Sequence, residues 1–362
     1  MVSQRSIYER NSNEMIKKYK TRTGAIFCDT ERLLEWLYVG DYGKENNIKA
    51  NFLGLTKEIN SVPHHEVDLE DKMVVTISTQ RGCQMKCRFC DCPRLSFMRH
   101  QAYRNGFNAT REDLAFEVEN AIKASGCKHT KRFNLHLARM GEPALNAENV
   151  FGFLIKDLRE LVTRNMSADV IHPVFTTMLP KGLGKEKASG ILQAFCDVKN
   201  TIYDGEAGLQ LSINSTDEGQ RDYLFNGMSL PLSEIAEIAA YLPMPKGRKY
   251  TLNFPVASDT ILDAAVLDNL FEKDKFIVKI TPIHETKEAS ANGISTPGGY
   301  DTYRVYKKFE YPLLDRGWDV IVFVPSKEED EDRITCGNAL LSLDENPNLP
   351  WKVWGDYDES VA

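Results

Sequence analysis

Residues 73–93 read MVVTISTQRGCQMKCRFCDCP and set the pattern for the rest of the chain. A β-rich run, MVVTIS, leads directly into a loop that holds four of the eight cysteines. Downstream, strand-like and helical runs alternate about six times before a last strand-like run. Strands that alternate with helices pair in parallel through right-handed crossovers. Because about six such units are too few for a closed eightfold barrel, the sequence predicts an α/β fold, a partial (β/α)6 barrel.

The boundaries of these runs define the expected organisation. Strand-like runs occupy residues 73–78, 132–138, 170–177, 209–214, 249–256, 276–283 and 318–324. Helical runs occupy residues 111–125, 147–164, 185–195, 231–242, 262–271 and 300–317. We expect residues 1–66 to form a small N-terminal extension of mixed or helical character, residues 67–325 to form the barrel, and residues 326–362 to form a C-terminal segment.

Composition excludes several classes of protein. The 362 residues include 17 Phe, 14 Tyr and 4 Trp, enough to build a core, so a wholly disordered chain is excluded. No apolar run is long enough to cross a membrane, and the first residues lack the apolar stretch of a secretory signal, so we expect a cytoplasmic protein with no membrane partner. The net charge of −7 argues against a broad nucleic-acid-binding face, although a local basic patch can still hold such a ligand.

The cysteine loop has the spacing of metal ligands. Cys83, Cys87 and Cys90 follow the first barrel strand, where the chemistry of such barrels is placed. Three thiolates on a [4Fe–4S] cluster leave one iron open to a small molecule. Two alternatives use Cys92 as a fourth ligand, in a zinc site or in an electron-transfer cluster. Cys92 lies only two residues from Cys90, too close to chelate comfortably with it.

This pattern, CxxxC followed by x-aromatic-C on the first βα loop of a partial barrel, resembles the radical S-adenosylmethionine (SAM) superfamily. The resemblance implies a [4Fe–4S] cluster whose open iron binds the amino and carboxylate groups of SAM. One electron from the cluster then cleaves SAM to methionine and a 5′-deoxyadenosyl radical. A reducing partner such as flavodoxin or ferredoxin is implied as the electron source.

Four further motifs resemble the RlmN/Cfr branch, which methylates adenine carbons in ribosomal RNA. They are LHLARMGEPALN (135–146), LQLSINSTDEGQRD (209–222), VKITPIHE (278–285) and DRITCGNAL (332–340). The resemblance implies that the SAM-binding residues are Gly141, Glu142, Thr177, Ser212, Asn214 and His284. It also makes Cys336 the cysteine that carries the methyl group, and it suggests a nucleobase or a nucleic-acid-derived substrate.

Two features depart from that branch. The branch resolves its covalent adduct with a second cysteine seven residues before the first cluster cysteine, where this chain has Thr76. Residues 1–66 also lack a clear RNA-binding helical pattern. We expect Glu66 or Cys92 to act in place of the missing cysteine. Two hypotheses stay open: methyl transfer through Cys336 to an unreactive carbon, or direct hydrogen abstraction from the substrate followed by isomerisation or rearrangement.

Overall fold

A single ten-stranded sheet organises the computed structural model, which describes residues 16–29, 31–40, 68–92, 106–298, 304–325 and 327–340. Its strands lie side by side in chain order. They are β1 (Ile16–Lys20), β2 (Gly24–Asp29), β3 (Leu34–Val39), β4 (Met73–Thr76), β5 (His129–His136), β6 (Ser167–Thr177), β7 (Gly208–Ser212), β8 (Tyr250–Val256), β9 (Phe276–Pro282) and β10 (Val320–Val322).

Strands β4 to β10 form the parallel part of the sheet. Each pairs with the next along the chain, as the registers of Met73 with Phe133 and of Val278 with Val320 show. Parallel neighbours in chain order require crossovers of one hand, and these are supplied by the helices. This is the partial barrel that the sequence predicted, and each predicted barrel strand overlaps a strand of the structure.

Ten helices connect or flank the strands within the described residues. They are α1 (Arg111–Ser125), α2 (Ala147–Lys156), α3 (Leu158–Asn165), α4 (Lys185–Asp197), α5 (Glu218–Leu224), α6 (Leu232–Ala240), α7 (Ala264–Leu270), α8 (Lys287–Ala291), α9 (Lys307–Leu314) and α10 (Lys327–Glu331). Helix α1 begins with a capping box between Thr110 and Asp113. None of the helices in the described ranges is long and apolar enough to cross a membrane.

The N-terminal extension differs from the expectation. Its described residues form β1, β2 and β3, antiparallel strands that extend the barrel sheet at β4, where the sequence indicated mixed or helical character. Aromatic packing accounts for the difference: Trp36 stacks on Phe27 at a centroid distance of 5.6 Å and contacts Phe116 of α1 edge-on. Tertiary burial of these aromatics outweighs the weak local preference of a short amphipathic run.

Side-chain alternation divides the barrel strands into two faces. On β9, Val278 and Ile280 join the large core that the strands share with the helices, so Lys279 points to the opposite side. On β5, Phe133 and Leu135 belong to the same core, which places His136 on the inner side as well. We call the space enclosed by this second face the lumen. Its upper mouth, at the carboxyl ends of the strands, carries the cysteine loop.

Candidate active site

The cysteine loop brings three thiols together above β4. Cys83 and Cys87 pack in an apolar cluster with Met85, Met178 and Phe225. Burial raises the pKa of Cys87 well above its ordinary value, and the nearby Cys90 and Cys83 thiolates raise it further. Such mutual repulsion between thiolates is relieved when a cationic metal centre binds them.

Cys90 differs from the other two thiols. A hydrogen bond from Cys92 lowers the pKa of Cys90, so Cys90 is the thiol most easily ionised. The Cys92 backbone N–H lies 3.5 Å from Cys90 Sγ, and Cys92 Sγ donates to the Arg139 carbonyl at 3.5 Å. Cys92 therefore contacts a cluster ligand rather than occupying the position of a fourth one.

The donor set fits an iron–sulfur cluster by its chemistry. Soft thiolates in an apolar surrounding, all on one loop, are the ligands that Fe–S clusters use. In the described parts of the chain, no three His, Cys, Asp or Glu side chains lie close enough to bind one metal ion. A four-iron cluster is wider than one ion, and each thiolate binds a different iron, so its ligands stand further apart.

The second βα loop lies against the cysteine loop through Gly141. Its φ is 93°, and a Cβ there would lie 2.6 Å from Gln80 Cβ, so a side chain would force the two loops apart. Glu142 follows, and its N–H donates to Gln80 Oε1 at 3.0 Å. The sequence predicted that both residues bind SAM, and in the structure the Gly141 backbone bonds the Cys83 thiol while Glu142 acts on Cys83 and Cys87.

Glu142 is a buried carboxylate with several partners. Its oxygens accept hydrogen bonds from the Ala144 N–H at 3.0 Å and the Met178 N–H at 3.1 Å. A further bond from Thr177 also lowers its pKa, yet burial dominates and raises that pKa to about 7. Thr177 thus contacts Glu142 directly, so the structure brings together two of the residues that the sequence assigned to SAM.

Two asparagines near the mouth have amide atoms without partners. Asn214 follows β7 with a φ of 64°, and both polar atoms of its side chain are buried without a hydrogen bond. Asn253 Oδ1, on β8 opposite Ser212, is orphaned in the same way. Buried amides are almost always satisfied, so these atoms point to a missing polar ligand. They fit the predicted placement of SAM beside Ser212 and Asn214. Asn253 was not predicted from the sequence.

His284 lies on the other side of the mouth. Its Nδ1 stands 2.8 Å from Asp330 Oδ1. Asp330 also accepts hydrogen bonds from Thr335 at 2.5 Å and Asn338 at 3.1 Å. His284 is therefore joined to the segment that carries Cys336, while the predicted contact with SAM stays an expectation. Glu66 lies outside the described residues.

Cys336 stands in the cleft beside the cysteine loop. Its Sγ donates to the Ala138 carbonyl at 3.5 Å, and a Cβ on the neighbouring Gly337 would lie 3.6 Å from Cys90 Sγ. The side chain is exposed, yet the surrounding protein and the Cys90 charge raise its pKa to about 11. Arg139 and Lys279 act in the opposite direction. Because the Cys336 thiol is accessible and yet surrounded by protein, it lines a cleft.

A buried ion pair holds this segment in place. We call residues 333–340 the C-terminal loop. Arg139 pairs with Glu35 of β3, its Nε lying 2.6 Å from Glu35 Oε1, and its guanidinium donates to the carbonyls of Arg333 at 2.9 Å and Thr335 at 3.3 Å. The other Glu35 oxygen accepts the Leu340 N–H at 2.8 Å.

A second tie joins the C-terminal loop to the cysteine loop. Arg333 donates to Asp91 Oδ2 at 2.7 Å, and the Asp91 N–H donates to the Gly337 carbonyl at 2.8 Å. Sequence reasoning missed Arg139, Glu35 and Asp91. Arg139 stands three residues before Glu142 in a motif that was recognised, but nothing local marks its partner on β3.

Comparisons with known proteins agree with this arrangement. No family model matches the chain. It is 22% identical over 284 residues to "Probable dual-specificity RNA methyltransferase RlmN" of Heliobacterium modesticaldum, a match that covers 76% of this chain and 65% of that protein. The dual-specificity RNA methyltransferase RlmN of Geotalea uraniireducens is 24% identical over 283 residues, covering 76% and 70%.

The fold has a counterpart among solved structures. A radical SAM methyltransferase from Sphaerobacter thermophilus superposes with a TM-score of 0.56 at 14% identity, covering 94% of this chain and 86% of that one. The sequence relatives, the shared fold and the three-thiol loop point the same way. The chain is thus a distant relative of these RlmN methyltransferases in sequence, it shares the fold of a radical SAM methyltransferase, and its three-thiol loop has the ligand type that a [4Fe–4S] cluster uses.

Proposed function

We propose that the enzyme methylates an sp2 carbon of a nucleobase-like substrate, with Cys336 as the methyl carrier. The observation that carries the proposal is the position of the Cys336 thiol, which lies in an open cleft with its neighbour Gly337 against Cys90. A thiol that served only the packing of the loop would be buried, as Cys196 is. The RNA methyltransferases among the relatives support a nucleobase as acceptor.

When bound, the cluster and SAM supply a methyl group and a one-electron route to a radical. Cys83, Cys87 and Cys90 would hold the cluster, and Asn214 would bind SAM through its unpaired amide. Glu142 and Thr177 would fix the floor of the SAM site. Cys336 would take the methyl group by displacement: its S–CH3 bond forms, the S–CH3 bond of SAM breaks, S-adenosylhomocysteine leaves and the thiol proton passes to water.

The neighbouring cations assist that first step. A thiol with a pKa of about 11 is protonated at neutral pH, and only the thiolate is nucleophilic. Arg139 and Lys279 both stabilise the thiolate form. Removal of either charge is therefore expected to slow methylation of Cys336.

Release of the product needs a group that Thr76 does not supply. Thr76 ends β4 opposite Leu37 and His136, and its hydroxyl is a poor base. Among the described residues, Cys92 offers a thiol of the kind that is missing at Thr76. It lies beside Cys90 and donates a hydrogen bond to the Arg139 carbonyl. We propose Cys92 or Glu66 as the group that resolves the adduct, with flavodoxin or ferredoxin as the reducing partner in the cytoplasm.

Mass spectrometry tests the carrier role. We would reconstitute the protein anaerobically, add SAM labelled in its methyl group, and measure label on the peptide that contains Cys336. We expect one methyl group there, and none anywhere in the Cys336→Ala variant. Cys127→Ala is the matched control, because Cys127 lies beside β5 at the opposite end of the strands and its thiol bonds the His129 carbonyl. An unlabelled Cys336 in active protein contradicts the proposal.

Thr76 favours a second candidate, direct hydrogen abstraction without methyl transfer, because that reaction needs no resolving cysteine. It predicts that S-adenosylhomocysteine does not form during turnover. Stoichiometric S-adenosylhomocysteine excludes it.

A further inference from the structure

Below the cleft, the lumen holds basic side chains, of which the mechanism above uses only Lys279, for its effect on the Cys336 thiol. We call His136, Arg248 and Lys279 the lumen cluster. His136 projects inward from β5 and Lys279 from β9, while Arg248 lies in the turn just before β8. They therefore approach one another from three separate parts of the sheet.

The three side chains are close enough to interact strongly. Lys279 and Arg248 are among the charges that lower the pKa of His136, together with His172 and Lys72, and burial lowers it to about 3. Burial and Arg248 likewise lower the pKa of Lys279 to about 8. Burial is the main cause of both shifts, and the neighbouring basic groups add to it.

His136, with a pKa of about 3, is neutral near pH 7, so the charges of the lumen cluster are those of Arg248 and Lys279. No carboxylate in the described residues forms an ion pair with a member of the lumen cluster. Its three side chains make no hydrogen bond or ion pair there, and the Lys279 ammonium meets only the face of Phe323, 5.8 Å from the ring centre. Among the described residues, Glu206 is a carboxylate that acts on Arg248, and it is already engaged by His172 at 3.7 Å and Arg132 at 3.4 Å. Half-buried charges without partners are costly, and they are found where a ligand supplies the opposite charge.

The lumen is basic, although the chain as a whole is acidic. The protein has a net charge of −7, yet the lumen gathers Arg and Lys side chains around a single engaged carboxylate. Lys279 also acts on the Cys336 thiol, so these two side chains lie near each other. A ligand held by the lumen cluster would extend upward toward Cys336.

We propose that the lumen cluster binds the phosphate group of a small substrate, which enters the barrel with its phosphate first and presents its other end to Cys336. This deepens the proposed function and rests on it for the position of the reacting carbon. His136 and Lys279 stand on the inner faces of β5 and β9, and Arg248 lies in the turn before β8, so none of the three lies on the loops at the mouth. A nucleic-acid strand, whose phosphates follow the surface, would not reach it, whereas a mononucleotide-sized molecule would.

Calorimetric titration tests the proposal. Inorganic phosphate is titrated into anaerobically reconstituted protein that is already saturated with SAM. We expect one phosphate per chain and an affinity that falls at least about tenfold in Lys279→Gln, the typical loss for one charge-assisted hydrogen bond. Arg248→Gln should weaken binding similarly. Lys187→Gln, on the outer helix α4, removes the same charge from an exposed site and should bind like the parent protein.

A second titration defines the ligand. Adenosine 5′-monophosphate should bind more tightly than adenosine, and Lys279→Gln should abolish the difference. Equal binding by Lys279→Gln and Lys187→Gln overturns the proposal, as does loss of the phosphate site when SAM is present. Binding of a short single-stranded RNA without binding of phosphate or the mononucleotide overturns it in favour of a polymer substrate.

The outcome is separable from that of the carrier test. Cys336→Ala should bind phosphate as the parent protein does, because Cys336 is not a phosphate ligand. If Cys336 is never methylated but phosphate binds through Lys279, the carrier role fails and the lumen site stands. If Cys336 is methylated and Lys279→Gln binds phosphate as the parent protein does, the carrier role stands and the lumen site fails.

Discussion

Arg139 and Lys279 are two cations that lower the pKa of Cys336, and their surroundings differ. Arg139 is fully buried and meets the Glu35 carboxylate and the carbonyls of the C-terminal loop. Lys279 is half-buried, and among the described residues its ammonium contacts the face of Phe323 and makes no ion pair. The difference separates a charge that stabilises the fold from one that is free to bind a ligand. Arg139 stabilises the cleft through its partners, whereas Lys279 keeps its hydrogen-bond donors available to a substrate.

The largest effect is expected at the partnered cation. Arg139→Met leaves Glu35 as an uncompensated buried charge and frees the C-terminal loop, which should cost about 3–5 kcal/mol in the free energy of unfolding. Urea denaturation measures this loss. The control Arg164→Met removes an exposed pair with Glu119 and should cost less than about 1 kcal/mol. Adding Glu35→Leu to Arg139→Met should restore part of the loss, and equal losses in both single variants would contradict the comparison.

A smaller effect is expected at the orphaned amide. Asn214→Gly removes the side chain but tolerates the φ of 64° at that position. Because the amide has no partner in the described residues, we expect stability to stay nearly unchanged while affinity for SAM falls about tenfold. Calorimetry on the reconstituted protein measures both. Gln193→Ala, an exposed amide on α4, should leave affinity intact, and unaltered SAM binding in Asn214→Gly would remove this residue from the site.

A buried carboxyl group with one unpartnered oxygen extends the same comparison. Glu117 of α1 accepts the Ser78 N–H at 3.1 Å, but its other oxygen has no partner, and burial raises its pKa well above the ordinary value. Since the folded protein then holds a proton that the unfolded chain releases, stability falls as pH rises from the ordinary Glu pKa through the raised one.

Glu117→Gln should therefore stabilise the protein at pH 8 by about 1 kcal/mol, or about 2 °C in Tm, and by much less near pH 4. Thermal unfolding across this pH range measures the gain. Glu119→Gln, an exposed carboxylate two positions further on, is the control and should show little pH-dependent gain. A gain that is constant with pH would show that ionisation of Glu117 is not its source.

The smallest effect is expected for stability at the lumen cluster. Lys279→Gln breaks no ion pair or hydrogen bond in the described structure, so its free energy of unfolding should lie within about 0.5 kcal/mol of the parent protein. Urea denaturation beside Arg139→Met makes the contrast direct. A loss of unfolding free energy comparable to that of Arg139→Met would mean that Lys279 stabilises the fold, and it would argue against a ligand at this site.

The sequence predicted what depends on local pattern. Strand and helix periodicity gave the parallel barrel, and cysteine spacing located the loop of Cys83, Cys87 and Cys90. It did not give the ion pair of Arg139 with Glu35, because the two residues are 104 positions apart and neither stands in a distinctive pattern at β3. Lys279 lies inside a recognised motif, yet only the alternation on β9 and the absence of described partners reveal its inward, unpaired state.

The bond from Leu340 to Glu35 has a consequence for the order of assembly. The two residues are 305 positions apart, which at 5–20 residues/s corresponds to about 15–60 s of synthesis. The hairpin strands and most of the barrel can form in that interval, but the C-terminal loop can lie over the thiols only afterwards. The three thiols thus stay uncovered while the chain grows, and the cleft is completed last, when both distant segments meet at Arg139.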